Sequence, residues 1–255
     1  MEQAPKYKIF NRDMVKYLAI FFMFWGHMFT WVTLMRNPDA ASAYPLMPLW
    51  MRIVTHFSII CPPVMFFMIA DGYKYTRDRK KYALRLGIFA LITQPFDWLI
   101  FQPIQGWWTT NVIFTLLFGL LAIMAWESKY KFWQRVLLVL GCVGISVLIF
   151  SAWMLFGVLI ILFLHIFREQ PKKRLTAYLT VTVFWLAMGF IGAEINEDFW
   201  LDKVLDLVMM MTAYFCMTVF YNGRKGRHPV FAKWFFYAFY PLHYLLIWLI
   251  ERVTR

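Results

Sequence analysis

The chain has 255 residues, 62% of them hydrophobic and 21% aromatic, with only 16% charged. Soluble domains are about half apolar and about a quarter charged, so the composition excludes an ordinary soluble domain. The net charge of +12 would suggest nucleic acid in a soluble protein, but here the lysine and arginine bias of cytoplasmic loops accounts for it and no nucleic acid is expected.

Apolar runs of close to twenty residues recur along the whole length, as membrane-spanning helices require. No segment is long or polar enough for a separate soluble domain, so residues 1–255 are expected to form a single integral-membrane domain. The three cysteines, Cys61, Cys142 and Cys216, lie in apolar segments at no metal-ligand spacing. They read as small core residues, with neither a disulfide framework nor a metal site expected.

In chain order, the runs between charged breaks place nine spans at 14–35, 47–73, 82–101, 109–126, 135–150, 152–167, 175–193, 203–221 and 234–251. The first, Met14 to Met35, is too long for the apolar core of a signal peptide and carries His27 inside it. Pro62-Pro63 should interrupt the second. The stretch 136–166 would be ~46 Å long as one helix, against a hydrocarbon core of ~30 Å. Both its flanks are basic, so a hairpin turning near Ser151-Ala152 is predicted.

Nine spans alternate sides. One side holds 21 of the 26 basic residues, in clusters at Lys6–Lys16, Lys74–Arg85, Lys129–Arg135, Arg168–Arg174 and Arg224–Lys233. The other has only Arg36, Arg52, Lys203, Arg252 and Arg255, with acidic Glu194, Glu197, Asp198 and Asp202. The positive-inside rule therefore predicts an all-α, polytopic bundle of about nine transmembrane helices, N-terminus cytoplasmic and C-terminus outside.

Ionisable groups at membrane depth are costly and mark candidate sites. His27 lies eleven residues past Lys16, ~16 Å along a helix and near the bilayer midplane. His243 falls midway along the last span. Arg52 and His56 share a helix face near the outer end of the second span. Asp71 stands near that span's inner end, Asp97 near the outer end of the third, and Asn111 at the start of the fourth. Plainer readings stand beside these: packing histidines, an interfacial His165, a capping Asp97 after Pro95, and Asp206 facing headgroups. The run from Lys74 to Arg85 reads equally as a positive collar for anionic lipid or as a pocket beside an acid-glycine corner at Asp71-Gly72.

Three stretches carry a resemblance: "NRDMVKYLAIFFMFWGHMF", "PPVMFFMIADGYKYTRDRKKYALRLGIFALITQPFDWL" followed by "NVIFTLLFGLLAI", and "FFYAFYPLHYLLIWLI". Together, about a third of the chain, they resemble the TraX family, known for pilin acetylation in conjugation systems. More loosely they are similar to the membrane acyltransferase 3 family, in which a basic residue precedes the first-helix histidine by the spacing of Lys16 and His27. The resemblance implies an enzyme of the bacterial cytoplasmic membrane that takes an acyl group, commonly acetyl, from acetyl-CoA. The acceptor would be a pilin, polysaccharide, lipid or peptide. One departure stands out: TraX-like sequences often have Asp directly before the histidine, and this chain has Gly26, which leaves Asp71 to polarise the imidazole.

On that footing His27, Asp71 and His243 are the expected catalytic residues. Lys16, Lys74, Arg77, Arg79, Lys80 and Arg85 would hold the phosphates of the acyl-CoA, since arginine binds phosphate through paired donors. Asn111, His56 and Arg52 would contact the acceptor. The rival readings are a haem protein ligated by His27 and His243, a transporter with a midplane site, and a non-catalytic partner in an assembly.

Overall fold

The structure is a computed structural model and describes residues 7–37, 39–40, 42–105 and 108–255; Lys6 of the first basic cluster and Trp107 lie outside them. Ten α-helices are present among these residues: α1 (Arg12–Arg36), α2 (Leu49–Phe57), α3 (Cys61–Tyr75), α4 (Arg79–Gln105), α5 (Val112–Trp126), α6 (Phe132–Leu148), α7 (Met154–Ile166), α8 (Pro171–Met188), α9 (Glu197–Thr218) and α10 (Pro229–Thr254). They fall on the nine predicted segments, the second of which is divided into α2 and α3. Three segments, Arg12–Arg36, Leu49–Tyr75 and Arg79–Gln102, are long and apolar enough to cross a membrane, and α5, α6 and α7 are shorter apolar helices.

The interruption of the second segment is a 3-10 turn at Ser58–Ile60. Pro62 and Pro63 then occupy the first turn of α3, where a missing N–H leaves no helical bond unmade. The acid-glycine corner expected at Asp71-Gly72 is not a corner. α3 runs through both residues to Tyr75, and the Thr76 hydroxyl donates to the Gly72 carbonyl at 2.8 Å. Pro95 likewise does not break its helix, because α4 continues to Gln105, so Asp97 is no cap.

The predicted hairpin between α6 and α7 turns where expected, through left-handed Phe150 (φ 48°) and Trp153 (φ 68°). Left-handed backbone costs about 1–3 kcal/mol per non-glycine residue. A cluster of hydroxyls supports it here. Ser146 and Ser151 share a hydrogen bond of 2.6 Å, Thr115 donates to Ser151 at 3.0 Å, and Thr110 donates to the Ile149 carbonyl at 3.1 Å.

The chain divides into two compact units. The first takes Met1–Val64, Leu99–Gly106 and Gly192–Arg255, the second Met65–Trp98 and Trp107–Ile191. In the first, α1 and α10 pack in parallel, since contacts climb both helices in the same order: Lys16 on Phe236, His27 on His243, Trp31 on Tyr244, Arg36 on Thr254. α2 and α9 are also parallel, with Arg52 opposite Asp198 and His56 opposite Asp206. α1 and α2 are antiparallel, Phe22 stacking on Phe57 and Phe29 meeting Trp50. In the second unit α5 and α7 are parallel, Gly157 lying against Thr115 and Gly119 against Ile161.

Candidate functional site

The first unit brings His27 and His243 together, 216 residues apart in sequence, with His27 Nδ1 3.2 Å from His243 Nε2. His243 is buried, and its Nδ1 bonds the Tyr240 carbonyl. A carbonyl only accepts, so His243 Nδ1 carries the proton. In the neutral ring Nε2 is then an acceptor. His27 Nδ1 must donate to it, which leaves His27 Nε2 with its lone pair. The chain of bonds thus fixes one tautomer of His27, as the orienting partner of a catalytic histidine does. Aromatic rings hold the pair: Trp31 stacks on His27 at 3.9 Å and on Tyr244 at 5.0 Å, and Phe239 lies parallel to His243 at 5.5 Å. The two nitrogens are in direct hydrogen-bonding contact here, not spaced as two axial ligands on either side of a porphyrin.

At the start of α1, Lys16 places its ammonium 3.8 Å above the Phe236 ring, in the same α1–α10 groove as the histidines. Asp71 belongs to the second unit, so the polar partner of His27 within its own unit is His243.

Arg52 and His56 enter a buried ladder between α2 and α9. Arg52 bonds Asp198 at 2.7 Å and Asp202 at 2.8 Å. His56 sits between Asp202 at 3.0 Å and Asp206 at 2.9 Å, and Lys203 meets Asp206 at 3.3 Å. Tyr44 stacks on His56 at 5.0 Å. Burial, with Asp206 and Asp202 nearby, pushes its phenol well above the ordinary range. Asp206, read from sequence as facing headgroups, is in fact buried in this ladder.

In the second unit Arg77, Arg79 and Lys80 line one open cleft with Thr76, Asp78 and Met124. Asp78 accepts from the Lys81 N–H at 2.9 Å, and that bond is the main reason its carboxyl is held below the usual range. The Arg79 guanidinium lies 4.1 Å over the Tyr73 ring, whereas Lys74 and Arg85 lean on Tyr75 and Tyr82. Asn111 caps α5 and donates both amide hydrogens inside its unit, to the Ala90 carbonyl at 2.9 Å and to Gln94 at 2.8 Å. It is a tie between α4 and α5, with no donor left for an acceptor group. His165, read from sequence as interfacial, has its partner inside the protein. It is buried and bonds Glu127 at 2.9 Å, beneath the edge of Tyr73.

The TraX protein family profile matches residues 11–251. The chain belongs to the TraX family. Among curated proteins it is similar to the probable fimbrial assembly protein FimC, serogroup H1, of Dichelobacter nodosus, with 29% identity over 196 residues, covering 72% of this chain and 77% of that one. No solved structure matches it.

The departure from the TraX pattern at Gly26 has a steric cause. α1 crosses the α2–α3 break there, and a Cβ at Gly26 would meet the Ser58 side chain, with its Oγ at 2.7 Å and the Thr55 carbonyl at 3.0 Å. With no side chain at position 26, the polar contact of the His27 ring is His243 Nε2. Sequence reasoning missed Glu127, Gln94 and the α9 acids as partners. For the acids a signal existed, because Asp198, Asp202 and Asp206 repeat every four residues and share one helix face.

Proposed function

We propose that the protein is an acyltransferase of the bacterial cytoplasmic membrane, moving an acetyl group from acetyl-CoA to a hydroxyl or amine at or across the bilayer. The observation that carries this reading is the His27–His243 pair, which leaves an unprotonated Nε2 on an oriented imidazole. His27 Nε2 takes the proton of the acceptor O–H or N–H as that oxygen or nitrogen bonds the acyl carbon. The C–S bond breaks, and the imidazolium returns the proton to the thiolate, giving coenzyme A. Within the second unit Arg77, Arg79 and Lys80 line one cleft and, with Lys74 and Arg85, are the cations assigned to the phosphates; Lys16 is a separate cation of the first unit. The fimbrial name of the relative favours a fimbrial or pilin subunit over polysaccharide, lipid or other peptide as acceptor.

The test is calorimetric binding of acetyl-CoA to detergent-purified protein, together with thiol release in membranes that contain the acceptor. Wild type and His27→Gln should both bind, and only wild type should release thiol. Binding without turnover in wild type would instead favour a non-catalytic assembly partner, the second reading that the relative's name supports.

A further inference from the structure

Between α9 and α10 the chain reads "NGRKGRH", residues 222–228, with Arg224, Lys225 and Arg227 all exposed. A collar that only meets lipid headgroups needs charge and no fixed shape. This loop has a fixed shape. The Arg12 N–H donates to the Arg224 carbonyl and the Asn222 N–H to the Phe10 carbonyl, both at 2.9 Å. Asn222 accepts from the Arg224 N–H at 2.9 Å, and Gly223 adopts a left-handed φ of 73°. Gly226 lies so close to buried Asp13 that an added Cβ would stand 2.6 Å from the carboxyl carbon. Two arginines and a lysine are therefore presented from a seated loop, on the first turn of α1 and at the entry to α10. Those are the two helices that carry His27 and His243. From Lys16, at the loop's end of the groove, to His27 is ~16 Å along α1, a length that an extended phosphopantetheine arm spans.

We infer that the 222–228 loop is a phosphate-binding loop, in which Arg224, Lys225 and Arg227 hold the phosphates of the acyl-CoA used by the histidine pair. The inference rests on the acyltransferase reading and adds a site in the first unit to the cleft of the second. Hydrogen bonds from arginine or lysine to phosphate are charge-assisted, and so shorter and stronger than neutral ones.

The experiment is calorimetric titration of acetyl-CoA into the full chain in detergent, comparing wild type with Arg224→Ala/Arg227→Ala, Gly226→Ala, Arg77→Ala/Arg79→Ala and a collar control, Lys129→Ala/Lys131→Ala. The loop double variant should weaken binding on the order of tenfold or more, and the collar control should match wild type. Gly226→Ala keeps every charge and should weaken binding by unseating the loop. Should it fail to fold, the arginine double variant still decides. If wild type binds and the loop double variant binds equally well, the loop proposal is overturned and the acyltransferase reading stands. Absence of binding in wild type sinks both. A parallel titration with phosphatidylglycerol separates the two phosphate sources: loss of lipid stabilisation with acetyl-CoA affinity intact would make the loop a headgroup site and overturn the proposal.

Discussion

Gly26 stands one residue before His27, the place from which a carboxylate in the same helix would polarise the imidazole. The packing at Ser58 forbids it, so on the acyltransferase proposal Gly26→Asp should not raise turnover. Forcing a side chain into that contact costs about 1–3 kcal/mol in overpacking, before the added charge is buried. The expected outcome is a lower Tm in detergent and reduced turnover; a variant of unchanged Tm and raised turnover would show that α1 and the α2–α3 break are not in contact. The tautomer argument gives a second prediction. His243→Gln keeps a side-chain oxygen that can accept from His27 Nδ1, whereas His243→Phe keeps the ring volume and removes the acceptor. We expect His243→Phe to lower kcat about 10²-fold with KM nearly unchanged, and His243→Gln to retain much of the rate. Equal loss in both variants would reduce His243 to a packing residue.

The ladder between α2 and α9 shows how helix pairs are fixed where apolar contact alone does not choose a register. Asp202 serves Arg52 and His56 at once, so Asp202→Asn leaves the buried Arg52 guanidinium and the His56 ring each short of a carboxylate. Removing one member of a buried ion pair costs about 3–5 kcal/mol. Thermal unfolding in detergent should show that loss for Asp202→Asn and little change for Glu194→Gln, an exposed acid outside the ladder. Comparable Tm values for the two would mean that the ladder does not hold α2 to α9. The helices themselves were legible in the sequence, as was the hairpin at Ser151, because apolar period, charged breaks and bilayer thickness are local quantities. The ladder was not. Arg52 and Asp198 are 146 residues apart, and nothing in either segment's own pattern says which helix it meets. The partner of His165 was hidden for the same reason: Glu127, the C-cap of α5, is 38 residues away in sequence. Asn111 looked like a spare donor because Gln94, which occupies it, lies in the preceding segment.

Helix direction ties these registers to the membrane. Nine alternating crossings make the first and ninth parallel, the second and eighth parallel, and the fourth and sixth parallel. Those are the relations of α1 with α10, α2 with α9, and α5 with α7. An even number of crossings would set α1 and α10 antiparallel, and Lys16 could not then meet Phe236 while Arg36 meets Thr254. If each of the nine segments crosses, the parallel α1–α10 pair goes with chain ends on opposite sides, and the basic clusters predict which end is which. Lysine and arginine are retained on the cytoplasmic face during insertion, so the prediction is an N-terminus inside and Arg255 outside. A C-terminal alkaline phosphatase fusion should accordingly be active in intact cells, and a C-terminal green fluorescent protein fusion dark. A cysteine placed at Lys8 should be shielded from impermeant maleimide until the membrane is opened. Both ends on one side would overturn the nine-crossing count and, with it, the parallel α1–α10 pair on which the His27–His243 bond depends. Opposite sides with the reverse polarity would leave the pair intact and place the Arg224–Arg227 loop outside, where no cytoplasmic acyl-CoA reaches it.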